Sequence, residues 1–485
     1  MPGAIRSPCP RPPRRARRRL LVGVGLALTA GCAVGPAFHT PPLAAPPAFL
    51  AAPAQRRPLW PDRTWWRGFR SPALDHLITL AERHNFSIQI AAAQLEAANA
   101  EVTVAGAPLL PQVNLGANAQ WQRAPQTATL ARVAASPTYG ASAQIAYMLD
   151  LWGKNRDALQ AALADAAASR FNRATVALTA VTAVATTWFQ VLADRAALRI
   201  GRRNLAAATA LLTQLQAEFA AGTVDAVTVA QQAALVASER ATIPALRSQL
   251  RQEALGLGLL VGRPPERLAI PGGRLRDLVV PPLAPGLPSQ LLERRPDVAQ
   301  AVANLRAANA NVRSAIASFF PTINLTGSAS TTSTALRSLL APGSLLLNAA
   351  TAASQPLFAG GALTGQLAVS RAVYREDVVT YEETVVRAFT NVETTLTALH
   401  YATEQQGRER QAVIEARRAL RAVQAQLQAG IVNVSSVLTA EETLLGDENA
   451  YTQARLAQLD AAIDLYQALG GGWRLSAARH MPGKP

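Results

Sequence analysis

Leu95–Ala119 reads LEAANAEVTVAGAPLLPQVNLGANA, and Leu305–Ala329 reads LRAANANVRSAIASFFPTINLTGSA. At a shift of 210 residues, 12 of these 25 positions are identical, among them Pro111, Asn114 and Leu115 with Pro321, Asn324 and Leu325. Further on the shift becomes 208, where Phe219–Asp225 aligns with Leu427–Asn433 and Gly222 with Gly430. Alanine-rich composition raises chance identity, but it does not explain shared Pro, Asn, Leu and Gly. A period near 200 is far too long for a solenoid, so the chain is a duplicated half.

Proline marks the joints. Residues 1–72 hold 14 of the 32 Pro and residues 264–296 hold eight more, whereas none lies between Pro137 and Pro244 or between Pro356 and Pro482. The expected organisation is a signal peptide at 1–31, a Pro-rich tether at 32–72 and a first repeat at 73–262. A linker follows at 263–286, then a second repeat at 287–470 and a tail at 471–485. The Pro-free spans predict very long helices. Val184, Val191, Leu198, Leu205, Leu212 and Phe219 recur every seven residues, and five of their six counterparts 208 residues on are apolar. Such a stripe predicts coiled-coil packing. A helix over residues 153–220 would be roughly 100 Å long at ~1.5 Å per residue. Returning helices are expected over 227–260 and 434–469, with Pro244 kinking or breaking the first. Gly222 and Gly430 suit the turns between them.

Stretches of period two lie between the helices. Val113, Leu115, Ala117, Ala119 and Trp121 alternate with Asn114, Gly116, Asn118 and Gln120. Residues 139–149, 323–330 and, less regularly, 345–358 behave alike. Strands are expected near 111–123, 138–151, 321–333 and 345–358. Each approximates the ~9–11 residues of a tilted transmembrane strand, with an uncharged polar face suited to a water-filled lumen. The alternative is a pair of soluble hairpins with one wet face. No segment of the repeats reads as a membrane-spanning helix, so a crossing would have to be a closed β-barrel. Four strands cannot close one, and several chains would have to pool them.

The formal charge is +16, from 47 Lys+Arg against 31 Asp+Glu. Seven Arg lie in residues 1–31, which have no acidic residue, so the remainder carries +9 and the charge does not single out a nucleic-acid partner. The basic run is followed by the apolar stretch LLVGVGLALTAG (residues 20–31), too short to span a bilayer but suited to a signal peptide. Ala30-Gly31-Cys32 resembles a lipobox, with Thr29 where the pattern prefers the Leu found at Leu28. Cleavage before Cys32 with acylation of its thiol is one reading, and ordinary signal cleavage the other. Two Cys exclude a disulfide scaffold. Five scattered His and the absence of a visible triad or carboxylate pair give no metal site, no cofactor and no enzyme.

Several motifs in order carry a family resemblance. They are Val34-Gly35-Pro36, Trp65-Trp66-Arg67-Gly68-Phe69, Asp150-Leu151-Trp152-Gly153-Lys154, Leu292-Glu293-Arg294-Arg295-Pro296-Asp297 and Pro356-Leu357-Phe358-Ala359-Gly360-Gly361. The chain resembles TolC/NodT-type outer membrane efflux lipoproteins over about residues 32–470. The resemblance implies an α+β membrane protein that forms a homotrimer. Four strands per chain would complete a twelve-stranded barrel, and long helices would form a periplasmic α-barrel. It implies an outer membrane location, a lipid anchor on Cys32 and a passive efflux conduit for small molecules or drugs. The partners implied are a periplasmic adaptor, an inner-membrane transporter of the proton-driven kind and outer membrane lipid. Type I protein secretion, metal export and a pore-less periplasmic scaffold stand as alternatives. Family members often carry acidic gate residues six and nine positions after the second turn glycine. Here those positions are Ser436 and Thr439, so the expected gate is Val434, Ser436 and Thr439, an apolar ring with hydroxyls in place of charge. The competing reading makes Ser435 or Ser436 a helix N-cap. Gly222, Asp225 and Gly430 mark the helix-tip turns. Arg202-Arg203, Arg417-Arg418 and the Trp pair read as a solvated helix face and as tether packing respectively.

Mass spectrometry of the mature N-terminus is expected to find an acylated Cys32, and Cys32→Ala should remove the acyl mass. An unmodified Cys32 would select ordinary cleavage.

Overall fold

The structure is a computed structural model describing residues 34–42, 45–51, 59–122 and 136–475. Cys32 and the expected signal peptide at residues 1–31 lie outside the described residues. The elements run α1 (Pro72–His84), α2 (Phe86–Gly106), β1 (Gln112–Gln122), β2 (Ser136–Leu149), α3 (Lys154–Ala220) and α4 (Ala226–Leu260). The second series is α5 (Pro288–Leu291), α6 (Pro296–Ala317), β3 (Thr322–Ser333), β4 (Leu345–Ser354), α7 (Ala362–Gln428) and α8 (Val434–Ala468). The duplication is kept to the residue: α3 and α7 are both 67 residues long, α4 and α8 both 35. Lys154 to Ala362 and Ala226 to Val434 are both steps of 208.

By proximity the chain divides into two compact units, one drawing on residues 97–166 and 303–379, the other on 42–96, 167–302 and 380–485. Each takes material from both repeats, so the sequence halves are not the spatial ones.

The first unit holds one antiparallel sheet in the order β1-β2-β3-β4. Its register sorts the side chains by face. Asn114, Gln144, Ser328 and Asn348 make one polar row across all four strands, and Val113, Ile145, Gly327 and Ala349 the apolar row beside it. A shift of one residue in any strand would mix the two faces. β2 ends at Leu149 and β4 at Ser354, short of the expected 151 and 358. Asp150 is taken by the helix, its carboxylate accepting from the Asn155 and Arg156 amides at 3.1 and 2.9 Å as an N-terminal cap. Past β4, the Gln355 side-chain Nε2 donates to the Phe319 carbonyl at 2.8 Å. Trp152 stacks on Phe320 and donates to the Pro321 carbonyl at 2.8 Å. Buried Asp157 meets Arg313 at 2.7 Å, tying α3 to α6. Burial raises the Asp157 pKa, and Arg313 opposes that rise.

The second unit is helical. Trp65, Phe69, Leu74, Leu77, Trp188, Phe189, Leu257, Leu459 and Tyr466 share its larger core, with Trp65 stacked on Tyr466 at 4.7 Å. The Trp66 indole donates to Asp75 at 2.9 Å. The tryptophan pair therefore packs the segment before α1 onto the helices. Arg295 is buried, donating to Asp297 twice and to the Ala468 carbonyl, which accounts for the Arg-Arg-Pro-Asp motif.

Four expectations need correction. Pro244 does not end α4, which runs unbroken from Ala226 to Leu260. Proline removes one helical hydrogen bond, but Ile243 beside it is buried. Gly201 of α3 makes room there: a Cβ on it would stand 3.2 Å from Leu246 and 3.4 Å from Ile243. The heptad stripe holds through Val184, Val191 and Leu198, then moves three residues to Gly201, Ala208 and Leu215, leaving Phe219 exposed. At ~100° per residue the seven-residue and three-residue steps turn the stripe the same way about the axis, so the buried line winds around α3 and is set by what packs against it. α3 does contain an apolar stretch long enough to cross a membrane, but over half of it is buried within the protein, as befits a core helix. Finally, the paired arginines are not merely solvated. Arg203 and Arg417 both bind Glu448, which is 4% exposed, and Arg417 lies 2.7 Å from it. That carboxylate joins α3 of the first repeat to α7 and α8 of the second.

Asp460, on α8, is pushed up to about 7 by burial and secondarily by the charge of Asp464. A folded pKa above the unfolded ~3.9 makes the native state bind the proton more tightly. Stability from this group is thus full below about pH 4 and is lost as pH rises towards 7. Asp460→Asn is expected to raise stability at pH 7.5 by about 2–4 kcal/mol and to flatten the pH dependence. Thermal unfolding in detergent at pH 5 and 7.5 measures both effects.

Candidate functional site

The two helix-to-helix turns have the same construction. α3 ends with Gly222 at φ +74° and α7 with Gly430 at φ +71°. The Gly222 amide donates to Phe219 at 2.9 Å and the Thr223 amide to Glu218 at 3.0 Å. In the second turn Gly430 donates to Leu427 and Ile431 to Gln426, both at 2.9 Å. This pair of bonds is the Schellman closure, which requires a left-handed residue at the glycine position. No atom lies within 4 Å of a Cβ added at either glycine, so conformation and not space selects Gly.

Each returning helix is then capped by the equivalent residue. Asp225 accepts from the Thr228 amide at 2.7 Å, and Asn433 accepts from the Ser436 amide at 3.2 Å. The Thr228 amide and hydroxyl hold the Asp225 pKa below the usual carboxylate range. The cap of α8 is Asn433, not Ser435 or Ser436. Ser436 lies three positions into the turn, and its hydroxyl stands 3.2 Å from the Asn433 side chain.

The three expected gate residues separate. Val434 is 8% exposed and Val437 is buried one turn on, so both anchor the start of α8. Ser436 is half-buried and Thr439 exposed, its hydroxyl donating to the Ser435 carbonyl at 3.0 Å. The side chains exposed at this level include the hydroxyls of Ser435 and Thr439 together with Ile431, 71% exposed. Sequence reasoning passed over the acidic residues just beyond, Glu441 and Glu442. Glu441 is pushed up by burial, and Glu239 of α4 is pushed up by burial and by Glu442. Their signal was present as the pair Glu441-Glu442, two positions past the expected site.

In the sheet, the apolar face is open. Leu115 is 84% exposed and Trp121 67%, with Val113, Leu345 and Leu347 also exposed. The opposite face of the sheet is mostly amide and hydroxyl, without an ionisable group in the rows through Asn114 and Gly116, although Leu346 of β4, 65% exposed, ends the second row. Neither outer edge, β1 nor β4, has a strand partner among the described residues. Also among these residues, no group of three or more His, Cys, Asp or Glu is arranged to hold a metal ion.

Comparison with known proteins is consistent from end to end. A family model described as "Outer membrane efflux protein" matches residues 77–263 and 287–471, one match per repeat. The chain is 35% identical over 453 residues to the pyoverdine export outer membrane protein OpmQ of Pseudomonas aeruginosa, covering 92% of this chain and 95% of that one. It is 28% identical to the probable outer membrane lipoprotein SilC of Salmonella typhimurium, covering 92% and 97%. Among solved structures it resembles the open state of the MtrE outer membrane channel of Neisseria gonorrhoeae, with a TM-score of 0.82 at 28% identity over 91% and 99% of the two chains.

Gly430→Ala places a Cβ in the left-handed region, at a cost of about 1 kcal/mol. Hydrogen exchange should accelerate over residues 426–436 and stay unchanged in the first turn around Gly222.

Proposed function

The chain belongs to the outer membrane efflux protein family, and from that premise we propose how its own residues build and close the channel. The protein is the outer membrane component of a tripartite efflux system, a passive conduit working with a periplasmic adaptor and an inner-membrane pump. Three chains contribute four strands each to a twelve-stranded barrel, and their long helices to a periplasmic α-barrel.

One observation carries the assignment of faces. The sheet is apolar and exposed on one side and uncharged-polar on the other, with both edges unpaired. In lipid each unpaired backbone group costs several kcal/mol. β1 of one chain therefore pairs with β4 of the next, and closure places Leu115, Ile145 and Leu347 against lipid. The row Asn114, Gln144, Ser328, Asn348 then faces water. An amide- and hydroxyl-lined passage supports small organic molecules as cargo, because it offers hydrogen bonds without a fixed charge to trap them. The pump in this reading is proton-driven, and the channel itself performs no chemistry. An acyl group on Cys32 holds the chain to the membrane, a reading that the lipobox-like stretch and the likeness to the probable outer membrane lipoprotein SilC support.

The narrowest level of the α-barrel is assigned to Ser436 and Thr439 near the second turn, with Val434 as the packing anchor beneath them and Gly222, Asp225 and Gly430 shaping the tips. Hydroxyls form a weaker barrier to anions than a ring of carboxylates and bind divalent cations poorly.

In planar bilayers the purified trimer should show a small conductance that millimolar divalent cations leave unchanged. Ser436→Asp combined with Thr439→Asp should shift the reversal potential towards cation selectivity and make the current sensitive to divalent cations. An unchanged double variant would place the constriction elsewhere.

A further inference from the structure

Within the helical unit, a cavity of about 380 Å³ opens where α3, α7 and α8 meet the linker. Seven arginines line it: Arg199 and Arg203 from α3, Arg274 and Arg276 from the linker, Arg410 and Arg417 from α7, and Arg455 from α8. Glu448 is the one carboxylate in the lining, and it is already shared by Arg203 and Arg417. Asp277 stands 4.0 Å from Arg274 and 3.7 Å from Arg276, with all three side chains more than half exposed. Among the described residues, Arg199, Arg410 and Arg455 have no carboxylate within 4.0 Å, although Arg455 donates to the Leu278 carbonyl and to Gln458. Counting Glu448 and Asp277 against the seven guanidinium groups leaves five positive charges in one cleft.

Burial, and then the charge of Arg417, lower the Arg203 pKa, and burial lowers that of Arg455. Like charges held this close repel, and the repulsion is relieved when a multivalent anion enters. Arginine is the side chain suited to that task, because its planar fork pairs with two oxygens of a phosphate or carboxylate group at once. The hydroxyl-bearing Tyr451 and Thr452 also line the cavity.

We propose that this cleft is a binding site for a small oxyanion carrying two or more negative charges, which clamps the inter-repeat linker to the long helices of both repeats. The site is independent of the channel reading, since it stands on charge and shape within a single helical unit. Phosphate- and carboxylate-bearing ligands share the required chemistry, and the two probes below separate them.

The test is isothermal titration calorimetry on the purified full-length mature protein in non-ionic detergent, at pH 7 and constant ionic strength. Sodium pyrophosphate is the phosphate probe and trisodium citrate the carboxylate probe, with sodium chloride as the monovalent control. One saturable site per chain is expected for at least one probe, with none for chloride. Arg199→Gln combined with Arg410→Gln should weaken binding at least about tenfold, about 1.4 kcal/mol, while leaving the Glu448 pairing in place. Arg251→Gln, an exposed position on α4 outside the cleft, should leave it unchanged. Thermal unfolding without ligand checks that the double variant remains folded. Absence of saturable binding to either probe overturns the proposal, as does equal affinity in the double variant. A cleft filled by an acidic segment of a neighbouring chain would give the first of those results.

Discussion

Lipid offers no hydrogen-bond partner to a backbone amide, and a four-stranded sheet leaves two rows of them bare. That constraint governs this molecule. Among the described residues β1 and β4 end the sheet without strand neighbours, while its apolar face, with Leu115 and Trp121, is ready for the hydrocarbon. The conflict is resolved only when the edges of separate chains meet and the ribbon closes. The uncharged polar rows then become the inside of a passage, so the same alternation that sorts lipid from water also makes the hole.

The helical part answers a different demand. Helices of 67 residues expose far more surface than an ordinary helix, and each must be held along its length. Their packing is tightest around Trp188, Phe189 and Leu192, where the segment Trp65–Phe69 and helix α1 cover them. Towards the turns the buried apolar residues thin to a few small or medium side chains, among them Ala208, Leu215, Val236, Val434 and Val437. Polar ties take over between these regions. Glu448 joins both repeats through two arginines, and Asp157 with Arg313 does the same near the sheet. Asp157 is buried, so loss of Arg313 would strand its charge, whereas Glu448 would keep one arginine if the other were lost.

Much of this was legible in the chain itself. The 208-residue step between the halves reappears unchanged in the helix boundaries, because length and capping chemistry are local properties: Asp225 and Asn433 are both short polar residues after a left-handed glycine. The strand faces were legible because period two needs no knowledge of the partner strand. The surroundings of Val434, Ser436 and Thr439 were legible only in part. Burial of Val434 depends on which helix lies against α8, and spacing from Gly430 carries no such information. The role of Arg203 and Arg417 was hidden for the same reason, since their shared carboxylate is 245 and 31 residues away respectively.

From sequence alone came the duplication, the element order, the alternating strands and the family resemblance, all of which rest on periodicity and local motif. Tertiary structure alone decided which arginines are neutralised, that α4 continues through Pro244, and where the buried seam of α3 changes position. Those outcomes depend on what stands across from each residue, and a pairing across hundreds of residues is set by packing, which no local pattern encodes.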